Sequence, residues 1–214
     1  MKRLTIFLAV FLCVGFVQVG RAGDDEAQDL VSRLQKKYDD MNDLSVDFVQ
    51  TVHFAVTQSE QTFHGKLLMK KGNKYRVDLE QETIVTDGVS LWNFNKTTNQ
   101  VFIDTYHESP KSFSPQRILS NLPGNYAATD LGKEKMGETE VSVVKLMPKS
   151  SSANVKWIKA WIDPDKLEMK KIELQDISEN LWSYTVSDTR MNTNIADSRF
   201  HFDVPSGVEV IDMR

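Results

Sequence analysis

Residues 25–41 (DEAQDLVSRLQKKYDDM) place Leu30, Leu34, Tyr38 and Met41 at helical spacing, with Val31 widening the stripe. Asp24, Asp25 and Glu26 suit the positive end of a helix dipole, so the pattern predicts an amphipathic helix over 25–41. At Leu44 the period changes from 3.6 to 2. Leu44, Val46, Phe48, Gln50, Val52, Phe54 and Val56 alternate with Ser45, Asp47, Val49, Thr51, His53 and Ala55. That is a long strand with one buried face.

The same alternation continues through Phe63, Gly65, Leu67 and Met69, and through Tyr75, Val77 and Leu79, with Lys71-Gly72-Asn73 as the turn between them. Short strands follow at 83–86, 89–94 and 100–106, the first two joined by the hairpin signal Asp87-Gly88. Alternation stops at 107–124 (HESPKSFSPQRILSNLPG). A short helix is expected at 115–122 there, started by Pro115 and ended by Pro123-Gly124. Strands resume at 126–135, 140–147, 155–163, 166–175, 180–189, 199–204 and 208–211. No composition break marks a linker. The expectation is one mainly-β, α+β domain: a curved antiparallel meander of about eleven strands, with two helices on its concave face.

The expected inward positions are large and soft: Phe48, Phe54, Phe63, Leu67, Met69, Tyr75, Val77, Leu79, Val143, Met147, Trp157 and Trp161. A packed core accounts for them. So does the wall of a cavity for an apolar ligand, because a wide curved sheet encloses more volume than its side chains fill. Two helices are few to cover about eleven strands, which adds weight to the cavity.

The N-terminus changes the composition. Met1-Lys2-Arg3 precedes an apolar run, Leu4 to Val19, and Gly20-Arg21-Ala22 carries small residues where a signal peptidase reads. The run is about 16 residues, short of the roughly 20 that span a bilayer, so residues 1–22 read as a secretory signal peptide. Cys13 lies inside that run without the small neighbours that lipid attachment requires. Cleavage after Ala22 removes three basic and no acidic residues, taking the net charge from −4 to −7, and removes the single Cys. An exported chain without thiols cannot mispair in an oxidising compartment. Its acidity argues against nucleic acid, which needs a basic footprint.

Catalytic signatures are lacking. His53, His64, His107 and His201 fall on separate elements, so neither a metal site nor a cofactor is expected. No nucleophile elbow or phosphate loop occurs, and the carboxylates are scattered on outward strand faces. The pattern points to binding rather than catalysis.

Four blocks carry a family resemblance. They are Leu44-Ser-Val-Asp-Phe-Val-Gln50, Gly65-Lys-Leu-Leu-Met-Lys-Lys-Gly-Asn73, Thr86-Asp-Gly-Val-Ser-Leu-Trp-Asn-Phe-Asn95 and Phe200-His-Phe-Asp-Val-Pro-Ser-Gly-Val-Glu-Val210. In this order behind a signal peptide, they resemble the LolA family of periplasmic lipoprotein chaperones, the outer-membrane lipoprotein carriers. The resemblance implies an unclosed β-barrel with a helical lid over a hydrophobic cavity, here the domain 23–214 with lid helices near 25–41 and 115–122. It implies acylated lipoproteins as cargo, loading by an inner-membrane ATP-driven lipoprotein-releasing transporter, and unloading to an outer-membrane receptor of similar fold. The carrier would be a monomer in the periplasm of a Gram-negative bacterium.

On this reading Phe48, Phe63, Leu67, Met69, Tyr75, Val77, Leu79, Val143, Met147, Trp157 and Trp161 would line the acyl-chain cavity. Leu30, Leu34, Tyr38, Ile118, Leu119 and Leu122 would form the lid's underside. The family commonly has an Arg-Pro in the turn after the Gly-x-Leu strand, its Arg latching the lid; here Lys71-Gly72 stand there. Lysine keeps the charge but lacks the planar fork of donors. Other readings have the receptor of the same fold, which needs a lipidated N-terminal Cys, another periplasmic lipid binder, or an envelope-stress sensor, whose extra C-terminal domain the 192 residues of 23–214 do not accommodate. A secreted hydrolase has the least support.

Overall fold

The computed structural model describes residues 20–107 and 121–214. Helix α1 (Gly20–Asp40) leads into β1 (Asp43–Phe54), β2 (Ser59–Lys70), β3 (Lys74–Leu79), β4 (Glu82–Asp87), β5 (Ser90–Asn95) and β6 (Gln100–Thr105). A four-residue helix, α2 (Leu122–Asn125), precedes β7 (Tyr126–Met136), β8 (Thr139–Pro148), β9 (Val155–Asp163), β10 (Glu168–Asp176) and β11 (Leu181–Met191). A 3-10 turn (Asp197–Phe200) and β12 (Glu209–Asp212) finish the chain. The expected helix at 115–122 lies outside the described residues, except for its last residue, Leu122, which opens α2.

The twelve strands of the described residues form one sheet in the order β12-β6-β5-β4-β3-β2-β1-β11-β10-β9-β8-β7. Two meanders, β1–β6 and β7–β11, are joined where β1 pairs with β11. The end strands β12 and β7 do not pair with each other, so the barrel is unclosed. The sheet is antiparallel except at β12, which runs parallel to β6. The expected strand 199–204 does not form. Its Phe200 and Phe202 alternate with polar residues as a strand would, but they sit on a 3-10 turn and the coil after it. Both are buried by packing onto the sheet's convex side rather than by joining its ladder.

The sheet wraps α1. Ala27, Leu30, Val31, Leu34 and Tyr38 are buried, one per helical turn or better, and pack in one cluster with β1 and β2 (Leu44, Val46, Met69) and with β8 to β10 (Val144, Leu146, Ile158, Ile162, Ile172). Each fully buried side chain of this kind contributes about 1.5–3 kcal/mol before ordering costs. The opposite face of α1 carries the exposed i,i+4 pairs Asp29–Arg33 (2.8 Å) and Lys36–Asp40 (3.2 Å). Pairs of this kind add only tenths of a kcal/mol.

The convex side has a second core: Val85, Trp92, Val101, Ile103 and Phe202, with Phe94 and Val208 against them. The segment between β11 and β12 straps over this face. Asp43, at the start of β1, anchors it: its carboxylate accepts hydrogen bonds from Thr193 N (2.8 Å), Thr193 Oγ1 (3.1 Å) and Ile195 N (3.2 Å). Lys70 and Lys74 pair with Asp197 at 2.6 and 3.2 Å.

Candidate functional site

Beyond the end of α1, the described residues leave the concave face unfilled. A cavity of about 390 Å³ lies between β1–β4 on one side and β10–β11 on the other, within the size range of small-molecule pockets. Leu44, Val46, Phe48 and Gln50 follow one another along its β1 wall. Leu67 of β2, Tyr75, Val77 and Leu79 of β3, and Ile84 of β4 extend the wall to one side. Met169 and Ile172 of β10, with Trp182, Tyr184 and Val186 of β11, extend it to the other. Tyr38 of α1 closes the end beside Leu44, where the wall residues are buried. Gln50, Glu82, Asp176 and Trp182 supply polar groups at the other end; they are half-buried, as are Leu67, Val77, Leu79, Ile84, Tyr184 and Val186, so the cavity is partly open to solvent along this part of the wall.

Strand alternation explains this wall. Phe48 lies opposite Val186 on one side and Gly65 on the other, and Gly65 lies opposite Leu79. A side chain at Gly65 would put its Cβ 2.5 Å from the Phe48 ring and 2.7 Å from Leu79. The glycine therefore lets the ring lie flat over the sheet. Phe48 also meets Tyr184 at 6.2 Å between ring centroids, and Tyr75 meets Tyr106 edge-on at 6.3 Å. Burial pushes the Tyr38 phenol up to about 12, against a hydrogen bond from the Met169 backbone. Burial, then the neighbouring Tyr106, lifts Tyr75 to about 12 as well, and burial raises Tyr184. These hydroxyls stay neutral at physiological pH, so the aromatic wall adds no charge.

The helix is held across the sheet by side chains that accept from backbone N–H groups. Gln35 Oε1 accepts from Leu122 N (2.8 Å), a buried bond joining α1 to α2. Gln28 Oε1 accepts from Ala128 N (3.1 Å), and Asp24 Oδ1 from Asp130 N (3.1 Å). Ala128 and Asp130 belong to β7, the end strand, so α1 satisfies edge donors that would otherwise invite another strand. The sequence reading missed Gln28 and Gln35, because polar residues on a helix carry no signal of what they bond.

Of the expected cavity residues, the structure places Phe48, Leu67, Tyr75, Val77 and Leu79 on the wall. Met69 shares their face but is packed in the core under α1. Phe63 is half-buried opposite Gln50, beyond the wall residues. Val143, Met147, Trp157 and Trp161 are corrected: they have the other parity and face away from the cavity. Val143 lies opposite Trp161 in a small convex cluster with Val141. Trp161 Nε1 donates to Glu134 (2.8 Å), and the Lys159 and Lys171 ammonium groups lie 4.3 and 4.6 Å from its ring centre. Trp157 Nε1 donates to Gln175 (3.0 Å), and Met147 is 41% exposed. The inward residues of β8 and β9 are the smaller Val144, Leu146, Ile158, Ala160 and Ile162.

Of the expected lid residues, Leu30, Leu34, Tyr38 and Leu122 are buried in the cluster under α1; Ile118 and Leu119 lie outside the described residues. Lys71 is exposed, and its backbone N–H donates to Asn42 O (3.1 Å). The neighbouring Gly72 has φ +89°, which a proline, fixed near about −65°, cannot adopt. The Gly72 carbonyl also abuts Gly88, where a Cβ would collide with it. This turn is therefore built differently from an Arg-Pro turn.

Two of the blocks that carried the resemblance meet on the convex face. Trp92 packs edge-on against His201 (5.1 Å between centroids), and Phe94 against Phe202 (5.4 Å). Asp87 Oδ1 accepts from Val89 N and Ser90 N at 2.8 Å, closing the turn that Gly88 permits with φ +90°. These residues hold the strap and sheet together and do not touch the cavity.

Among the described residues there is no group of His, Cys, Asp or Glu side chains able to hold a metal ion, and no helix long and apolar enough to cross a membrane. Residues 39–203 match the family described as "Outer membrane lipoprotein carrier protein LolA". The chain is 27% identical over 191 residues to the outer-membrane lipoprotein carrier protein of Pasteurella multocida, covering 87% of this chain and 88% of that one. It is 28% identical over 218 residues to that of Haemophilus influenzae, covering 100% and 99%. Among solved structures, an uncharacterised conserved protein from Thermus thermophilus aligns with a TM-score of 0.55 at 14% identity, covering 87% of this chain and 99% of that one. LprF from Mycobacterium bovis aligns at 0.50 with 12% identity, covering 86% and 98%. These structural likenesses speak to the fold.

Proposed function

Since the chain belongs to the LolA family of outer-membrane lipoprotein carriers, we propose that it is a periplasmic chaperone holding the acyl chains of lipoproteins in the cavity between β1–β4 and β10–β11. The observation that carries this reading is the cavity itself: a wall of aliphatic and aromatic side chains, continuous with the underside of α1 and partly open to solvent. Residues 1–22 would serve as the export signal. An inner-membrane transporter would load the carrier, and an outer-membrane receptor would unload it.

The energetics fit a carrier. Each buried CH₂ is worth about 0.8 kcal/mol, so complete burial of two or three long chains would be too favourable to reverse. Cargo larger than the cavity must displace the apolar side of α1 or remain partly outside. Displacing Leu30, Leu34 and Tyr38 from their buried contacts offsets part of the gain and brings the net affinity into a releasable range. The hydrogen bonds from α2 and β7 to Gln35, Gln28 and Asp24 give the helix a defined seat to return to.

The test is release of newly made lipoproteins from spheroplasts by the purified protein, with mass spectrometry of whatever lipid it carries off. A released lipoprotein bound one-to-one supports the reading. No acylated species in the soluble fraction overturns it.

A further inference from the structure

The polar end of the cavity is acidic. Its described lining includes two carboxylates, Glu82 and Asp176, and no Lys, Arg or His. Asp176 is fixed there, accepting from Asn180 N, Asn180 Nδ2 and Trp182 Nε1 at 3.0 Å each. Lys96, in the β5–β6 turn, donates from its ammonium to the backbone carbonyl of the lining residue Leu79 at 2.5 Å. On β1 the wall changes from Phe48 to Gln50 at this level, so a ligand whose chains fill the apolar end carries its headgroup past Gln50, Glu82 and Asp176.

We infer that Glu82 and Asp176 make the cavity selective for amphiphiles with uncharged or cationic headgroups and disfavour anionic ones, fatty acids and anionic phospholipids alike. This deepens the carrier reading and rests on it. The N-terminal linkage of an acylated lipoprotein is made of amide, ester and thioether groups and carries no charge of its own. The membrane from which it is taken supplies anionic phospholipids with similar chains. Chain burial cannot tell the two apart, whereas a headgroup charge beside two carboxylates can.

The experiment is displacement of the neutral fluorophore N-phenyl-1-naphthylamine from the purified protein by twelve-carbon amphiphiles, each below its micellar concentration. The set is monolaurin, dodecyltrimethylammonium, dodecanoate and lauroyl-lysophosphatidylglycerol. Monolaurin and the cation should displace the probe at roughly tenfold lower concentration than either anion. The gap should narrow with added salt. Glu82→Gln should narrow the gap between monolaurin and either anion several-fold, whereas Glu138→Gln, in the distant β7–β8 turn, should leave that gap as it is; that control separates the local carboxylate from the net charge.

Equal displacement by all four, or a gap that Glu82→Gln leaves intact, overturns the selectivity while sparing the carrier reading. A deficit confined to the lysophospholipid assigns the effect to headgroup bulk and also overturns it. Displacement by none overturns both.

Discussion

Phe48 and Gly65 are directly paired across β1 and β2, and the Phe48 ring occupies the space that a side chain at 65 would need. Gly65→Ala should therefore push the ring into the cavity. Overpacking of this kind costs about 1–3 kcal/mol. Phe48→Ala removes a ring that faces the cavity on one side, so its cost should fall below the usual range of about 3–5 kcal/mol. The double variant should be less destabilised than the sum of the two, because the clash is gone. Urea unfolding of the four proteins measures this; strict additivity would mean that the ring does not rest on Gly65.

Gln35 ties α1 to α2 through its bond from Leu122 N. Gln35→Leu should leave that buried N–H without an acceptor and cost about 1–3 kcal/mol. Hydrogen exchange at Leu122 should accelerate more than exchange in the centre of β1. Unchanged protection at Leu122 would show that the bond does not hold the helix.

Asp43 should govern part of the acid stability. Burial opposes its ionisation, but hydrogen bonds from Thr193, Ile195 and Asn194 outweigh that and hold its pKa below the ordinary value of 3.8. Its contribution is therefore complete above about pH 4 and is lost as pH falls through the lower folded-state value. Asp43→Ala should cost at least about 2 kcal/mol at neutral pH and flatten this part of the acid limb. An acid limb of unchanged shape, followed by urea unfolding at stepped pH, would contradict the assignment.

The two sheet faces should separate in mutation. Trp161→Ala should destabilise by about 3–5 kcal/mol while leaving naphthylamine binding intact. Ile84→Asp should weaken binding at least tenfold, because it places a charge on the cavity wall. Fluorescence titration beside thermal unfolding distinguishes them, and loss of binding in the folded Trp161 variant would return that residue to the cavity.

These assignments show where sequence pattern suffices. On β1 and β3 one face is apolar and the other polar, so Phe48, Tyr75 and Val77 could be placed from alternation alone. On β8 and β9 both faces are apolar. Trp157 and Trp161 are the largest side chains there, yet the inward residues are Ile158, Ala160 and Ile162. Trp161 is covered instead by the ammonium groups of Lys159 and Lys171. Trp182, Tyr184 and Val186 alternate plainly, and the expected strand 180–189 contained them; what the pattern could not supply was the pairing of β11 with β1 that brings them opposite Phe48. The strap over the convex face was hidden for a similar reason: Phe200 and Phe202 have strand spacing, and only the tertiary fold gives them another partner.

The most direct test of the central claim is site-specific photo-crosslinking to an acylated lipoprotein during its release from spheroplasts. A photoreactive residue at Val77 or Val186, on the cavity wall, should crosslink to the acyl chains. The same residue at Val143 or Trp161, on the convex face, should not. Equal crosslinking from both faces, or none from the wall, would contradict the account.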